Sequence, residues 1–204
     1  MNRPCTLLPL GLAIALVAIA AESPAQTVQL APFAGYAFGG SLQSAADGQT
    51  WSIKSGLAYG GSADFRISPA WRFELLYSRQ ETKLESSGLV PSLDLDVERY
   101  LAGFQEEKGQ DGPTRVFGTL LFGATRFVPA LPGSSGTTRF TAGLAFGVKS
   151  LFSKNVGLRL EARGFFTSVK GSAGLACVNG SCLFAFSGSG LWQGDLSGGL
   201  ILAF

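Results

Sequence analysis

Histidine is missing from this chain, methionine occurs once and cysteine three times in 204 residues. Without an imidazole, a serine nucleophile has no ordinary general base. A few thiols with no histidine also make a poor ligand set for a metal. Charge is scarce: 15% of residues are Asp, Glu, Lys or Arg, against about 25% in a typical soluble domain. The net charge of +2 gives no field that would recruit nucleic acid or an acidic partner. Beyond residue 25 there is no uninterrupted apolar run of the length a membrane helix needs, and no segment of helical period. The glycine pair Gly39-Gly40 lacks the strand–loop–helix setting of a phosphate loop. Ser187-Gly188-Ser189-Gly190 likewise opens no helix, as a nucleophile elbow would. No enzyme class and no cofactor is indicated.

What remains is an apolar chain of mean hydropathy +0.27, with 28 glycines and 16 phenylalanines. Residues 1–25 read as a secretory signal peptide: Arg3 precedes an apolar stretch over residues 7–21, and Ser23-Pro24-Ala25 supplies small residues ahead of a cut before Gln26. Ala18-Ile19-Ala20 is a competing site. Cys5 lies ahead of the apolar stretch and leaves with the peptide, so the mature domain, residues 26–204, keeps Cys177 and Cys182. An even cysteine count in an oxidising compartment, with the turn former Asn179-Gly180 between the two, predicts a disulfide. The absence of a CxxC spacing argues against a redox role.

From residue 27 onward the pattern is period-two alternation broken by turn residues. Eight strands are predicted, over residues 28–39, 51–67, 71–82, 93–106, 114–128, 140–149, 158–166 and 192–204. Long polar connections are expected over 40–50, 83–92, 129–138 and 170–182, and tight turns at 68–70, 107–113 and 153–155. In the fourth strand Leu95 and Val97 take one parity and Tyr100, Ala102 and Phe104 the other, which a β-bulge near Glu98 or Arg99 would reconcile. The fifth is blurred by Phe117, Thr119 and Leu121 opposing Val116, Leu120, Phe122 and Ala124.

The last strand is the most informative. Trp192, Leu196, Leu200, Leu202 and Phe204 share a face with Gly194 and Gly198, opposite Gln193, Asp195 and Ser197. An open apolar final strand would invite aggregation, and closure onto the first strand removes the edge. A terminal Phe behind such an alternation resembles the C-terminal assembly signal of bacterial outer-membrane barrels. The whole of residues 26–204 is similar to the OmpA- and OmpX-like barrels in strand count and in its rhythm of long and short connections. The resemblance implies an all-β fold: a closed antiparallel up-and-down transmembrane barrel of eight strands in a Gram-negative outer membrane. It also implies outer-membrane lipid and the barrel-assembly machinery as partners. Several known barrel enzymes of that membrane resemble one another in depending on a catalytic histidine, which this chain lacks.

Alternation alone does not say which face points outward. A lipocalin-like carrier buries its grease, whereas a membrane barrel exposes it. Low charge, large aromatics on the apolar face and small residues on the other favour grease outward. Asp64, Arg66, Arg72, Glu74, Lys149, Arg159, Glu161, Arg163 and Asp195 are then expected inside, paired as a plug, because buried charges persist only when paired. Trp51, Trp71, Tyr77 and Trp192 are candidates for the interfacial aromatic girdles. The functional expectation is a non-enzymatic envelope scaffold with loop-mediated adhesion or partner binding. A narrow porin-like channel and a secreted or periplasmic lipocalin-like carrier are the alternatives. No loop motif names a surface partner.

Overall fold

The computed structural model describes residues 27–44, 50–86, 92–109, 112–130, 134–169, 173–178, 181–187 and 190–204. The predicted signal peptide lies outside them. Thirteen strands and no helix occur among the described residues. Eight long ones close a ring: β1 (Val28–Phe38), β4 (Gly56–Arg66), β5 (Trp71–Ser86), β6 (Leu93–Lys108), β7 (Thr114–Pro129), β9 (Thr137–Leu151), β10 (Val156–Thr167) and β13 (Leu191–Ala203). The order is β4-β1-β13-β10-β9-β7-β6-β5, and β4–β5 pairing completes the circle. All eight junctions are antiparallel. The first and last strands meet along Gln29↔Ala203 to Phe38↔Gly194. The Phe204 amide donates to Val28 O at 2.9 Å, and its carbonyl accepts from the Thr27 amide at 2.8 Å. The free edge expected of the last strand is thus consumed.

The barrel is inside-out. On β10, Leu158 and Leu160 are exposed while Arg159 and Arg163 are buried. The exposed face of the ring carries Leu30, Leu57, Phe65, Leu75, Phe104, Leu120, Leu144 and Leu196 among others. A soluble carrier needs the reverse arrangement, so the lipocalin-like alternative does not fit the fold. At the short-turn end stand Ile67, Trp71 and Phe152, all exposed. Gly109 there has φ +85°, a left-handed conformation that a side chain resists. At the other end all four tyrosines of the chain, Tyr36, Tyr59, Tyr77 and Tyr100, face outward with Phe140 and Trp192. Tyr59 donates to Glu81 Oε1 at 2.9 Å, and Tyr100 to Glu98 Oε2 at 3.2 Å. Exposed rings with hydroxyls reaching a charged band are the pattern of an interfacial aromatic girdle.

Above that ring the strands continue. β5, β6 and β7 have 16 residues each, whereas about 9–11 suffice to cross the hydrocarbon layer. Five short strands fall in stretches read from sequence as loops, or at their margins: β2 (Ser41–Ser44), β3 (Thr50–Ile53), β8 (Ser134–Ser135), β11 (Ala173–Val178) and β12 (Ser181–Ser187). They join side by side in the order β5-β3-β2-β12-β11-β8, so the four outer connections form a collar. On it the polarity reverses. Trp51, Ile53, Leu84, Leu95, Val97, Phe127, Val169 and Leu191 form an apolar cluster inside, and outside stand the pairs Lys54–Glu85, Arg79–Asp96, Lys83–Asp94 and Arg126–Glu98. The Asp96 carboxylate, 2.7 Å away, raises the pKa of the Arg79 guanidinium above its ordinary value.

Several expectations are corrected by this reversal. β6 contains no bulge near Glu98 or Arg99, because its register runs unbroken against β5 and β7. Leu95 and Val97 point inward with Arg99 and Leu101, and the change of parity in the sequence is a change of surroundings. The expected second strand, residues 51–67, is two strands, β3 and β4, separated at Lys54 and Ser55. Trp51 is 5% exposed inside the collar and does not belong to a girdle.

Candidate functional site

The inward side chains occupy the barrel in layers. Nearest the short turns, Ala31, Ile201 and Ala203 pack with Leu151 as a floor. Above them lies the charged layer, assembled from seven strands. Lys149 (β9) donates to Asp64 Oδ2 (β4) and Glu107 Oε1 (β6), each at 2.7 Å, to Gln29 Oε1 (β1) at 3.1 Å, and to Gln105 Oε1 (β6). Arg159 (β10) donates to Asp64 Oδ2, both oxygens of Glu74 (β5) and Glu161 Oε1, all at 3.0 Å, to Glu161 Oε2 at 2.9 Å and to Ser62 at 3.2 Å. Arg72 Nε reaches Glu107 at 2.9 Å. Gln105 and Thr119 (β7) donate to Glu74 Oε2 at 2.8 and 3.3 Å. Arg163 then links upward, from Glu161 at 2.7 Å to Asp195 (β13) at 3.5 Å. Arg99 donates to Gln193 at 3.0 Å.

Large apolar groups share this interior. Phe33, Leu76, Leu101, Leu121, Ala145 and Phe165 form one cluster, against the expectation of a lumen lined mainly by small residues. Its two aromatics and the buried Phe117 serve the cations: Arg163 lies 4.1 Å from the Phe33 ring centroid, Arg159 4.5 Å from Phe117 and Arg99 4.7 Å from Phe165. An arginine stacked on a ring has one face covered by a partner that needs no hydrogen bond. A row of hydroxyls, Thr125 to Thr141 to Thr167 at 2.7 and 2.9 Å, precedes the apolar cluster of the collar. The sequence pattern shows why each strand contributes as it does. Alternate residues enter the lumen, and the charged ones fall on that parity between lipid-facing Leu, Phe and Ala.

Of the nine residues expected in the lumen, eight are buried there: Asp64, Arg72, Glu74, Lys149, Arg159, Glu161, Arg163 and Asp195. Arg66 is half-buried at the end of β4, outside the network. Glu107 and Arg99 are the charged members that sequence reading missed, the first assigned to a turn and the second to a bulge. Extending the inward parity Leu101, Gly103, Gln105 by one step each way would have found both. With them the buried set holds five cations and five carboxylates, a formal balance, and the half-buried Arg115 reaches Glu107 at 3.6 Å from its edge.

In the final strand, Trp192, Leu196, Leu200 and Leu202 face outward, and Phe204 is half-buried. Cys177 and Cys182 stand directly opposite each other in the β11–β12 register.

A protein-family model described as outer membrane protein beta-barrel domain matches residues 11–199. The crystal structure of neisserial surface protein A superposes on 90% of this chain and 100% of its own with a TM-score of 0.61 at 21% identity. That of OprG from Pseudomonas aeruginosa covers 87% of this chain and 96% of its own, with a TM-score of 0.55 at 12% identity. At such identities the likeness carries the fold alone. No curated protein matches.

Proposed function

The chain belongs to the outer-membrane protein β-barrel family of Gram-negative bacteria, and from that premise we propose that it is a non-enzymatic envelope scaffold whose collar engages a partner or surface outside the cell. The observation that carries this reading is the occupied lumen. A charge-balanced network, an aromatic and aliphatic layer, and the apolar cluster of the collar succeed one another along the axis. An eight-stranded barrel has room for little beyond its own side chains. The surface left for function is the outside of the collar, where β strands replace free loops and where paired charges face water. The outward apolar face of β13 supports its reading as the segment handed to the assembly machinery.

The experiment has two arms. Purified barrel in planar bilayers is expected to give no stable conductance steps, and reproducible steps would favour the porin-like alternative. Cells displaying the barrel are expected to lose surface attachment when residues 173–187 are replaced by a short turn, with the barrel still assembled. Attachment unchanged by that replacement argues against the collar as the binding surface.

We also propose cleavage before Gln26 and a disulfide between Cys177 and Cys182, supported by their opposed register and by export to an oxidising compartment. One intact-mass measurement reads both. The mature protein is expected to begin at Gln26 and to gain two hydrogens on reduction. An unchanged mass after reduction rules the disulfide out.

A further inference from the structure

A crevice marks the seam between first and last strands. Among the described residues, pairing of β1 with β13 ends at Phe38↔Gly194, and the next pair on that side of the collar is Gln43↔Ser187, between β2 and β12. Between these points lies a crevice of about 450 Å³, lined by Gly39, Gly40, Ser41, Ser52, Ser55 and Trp192 with Ile53 and Gly190. Beside it the backbones approach closely enough to require glycine. A Cβ on Gly39 would stand 1.6 Å from the Ile53 carbonyl oxygen, and one on Gly40 2.4 Å from both the Leu191 side chain and the Trp192 carbonyl.

The lining has a definite chemistry. Ser41, Ser52 and Ser55 are exposed. Ser55 Oγ accepts from the Gly39 amide at 3.1 Å, which leaves its own O–H free to donate outward. Trp192 is 70% exposed, its ring braced against Phe166 at 5.0 Å. Among the described residues that line the crevice there is no Asp, Glu, Lys or Arg. The absence of a cation disfavours phosphate or sulfate, and a hydroxyl-rich lining disfavours an acyl chain. Hydroxyl donors and acceptors beside a braced indole face suit a neutral polyhydroxylated ring: the hydroxyls bond its edge and the indole covers its C–H face.

We propose that this crevice is a saccharide subsite, set at the height of the outer-leaflet interface. The same chemistry is offered by the sugar of an outer-leaflet glycolipid and by a free glycan, so the test separates the two. Full-length mature barrel in phosphatidylcholine nanodiscs would be titrated with a neutral hexose oligosaccharide prepared from the uncharged outer sugars of lipopolysaccharide, followed by saturation-transfer NMR. A second set of nanodiscs would carry intact lipopolysaccharide, with retained copies counted by native mass spectrometry. Binding in the first arm that weakens about tenfold in Trp192→Leu, the loss of one good stacking contact, supports the site with free glycan as a source. Retention only in the second arm, lost in Trp192→Leu and in Ser52→Val, supports it with the glycolipid as source. Binding in neither arm, or binding that Trp192→Leu and Ser52→Val leave unchanged while heat-modifiable mobility shows a folded barrel, overturns it.

Discussion

Replacing Arg159 with methionine is expected to destabilise the folded barrel by about 3–5 kcal/mol, the range for removing one partner of a buried ionic cluster. Methionine conserves much of the volume, so the loss is electrostatic rather than a cavity. Arg159 is the cation shared by Asp64, Glu74 and Glu161. Without it Glu74 keeps only the hydrogen bonds from Gln105 and Thr119, and Glu161 only that from Arg163. The measurement is urea unfolding in lipid vesicles followed by tryptophan fluorescence. Lys83→Met is the control, because Lys83 and Asp94 are both exposed and 3.5 Å apart, and such a pair contributes about 0–1 kcal/mol. Equal effects for the two variants would refute the network as the stiffening element of the lumen.

The second large effect tests the reversal of polarity. Leu144 stands opposite Leu120, half-exposed midway along the lipid-facing rows of β9 and β7. Leu144→Arg is expected to cost about 2–4 kcal/mol, the penalty for arginine near the bilayer midplane of a barrel. On the collar the sensitivity should change sides. Asp94→Arg, exposed on β6, should cost no more than about 1 kcal/mol, the loss of its exposed pair with Lys83. Its neighbour Leu95, 2% exposed in the collar cluster, should not tolerate arginine. Heat-modifiable mobility in vesicles of matched thickness ranks all three. A tolerated Leu144→Arg would mean that lipid does not cover that face.

The eight spanning strands were legible because lipid and lumen alternate with a period of two, and that period is the one strong signal in the chain. On β10 the alternation of Leu158, Leu160 and Ala162 with Arg159, Glu161 and Arg163 reads directly as observed. The collar was illegible because alternation reports a difference between two faces and not its sign. Across β6 the strand keeps its geometry while its surroundings exchange, lipid giving way to water outside and charge to grease within. Leu95 and Val97 therefore looked like a slip of register. The short strands β2, β8 and β11 carry Ser, Gly and Ala, and only their neighbours make them strands. In the lumen, Phe117 read as blurred polarity because the stacking of a ring on the Arg159 guanidinium joins residues far apart in sequence.

The charged layer draws on β1, β4, β5, β6, β7, β9 and β10, and its upward link on β13. The hairpins β5–β6 and β10–β13 each hold two buried cations and two carboxylates, but Asp64 on β4 and Lys149 on β9 meet their partners only across the barrel. A partly assembled sheet entering lipid would have to carry bare carboxylates and ammonium groups into hydrocarbon, which is prohibitively unfavourable. Closing the ring is consequently the step that gives Asp64 and Lys149 their counter-charges, so the shape of the barrel and the neutrality of its centre are completed together.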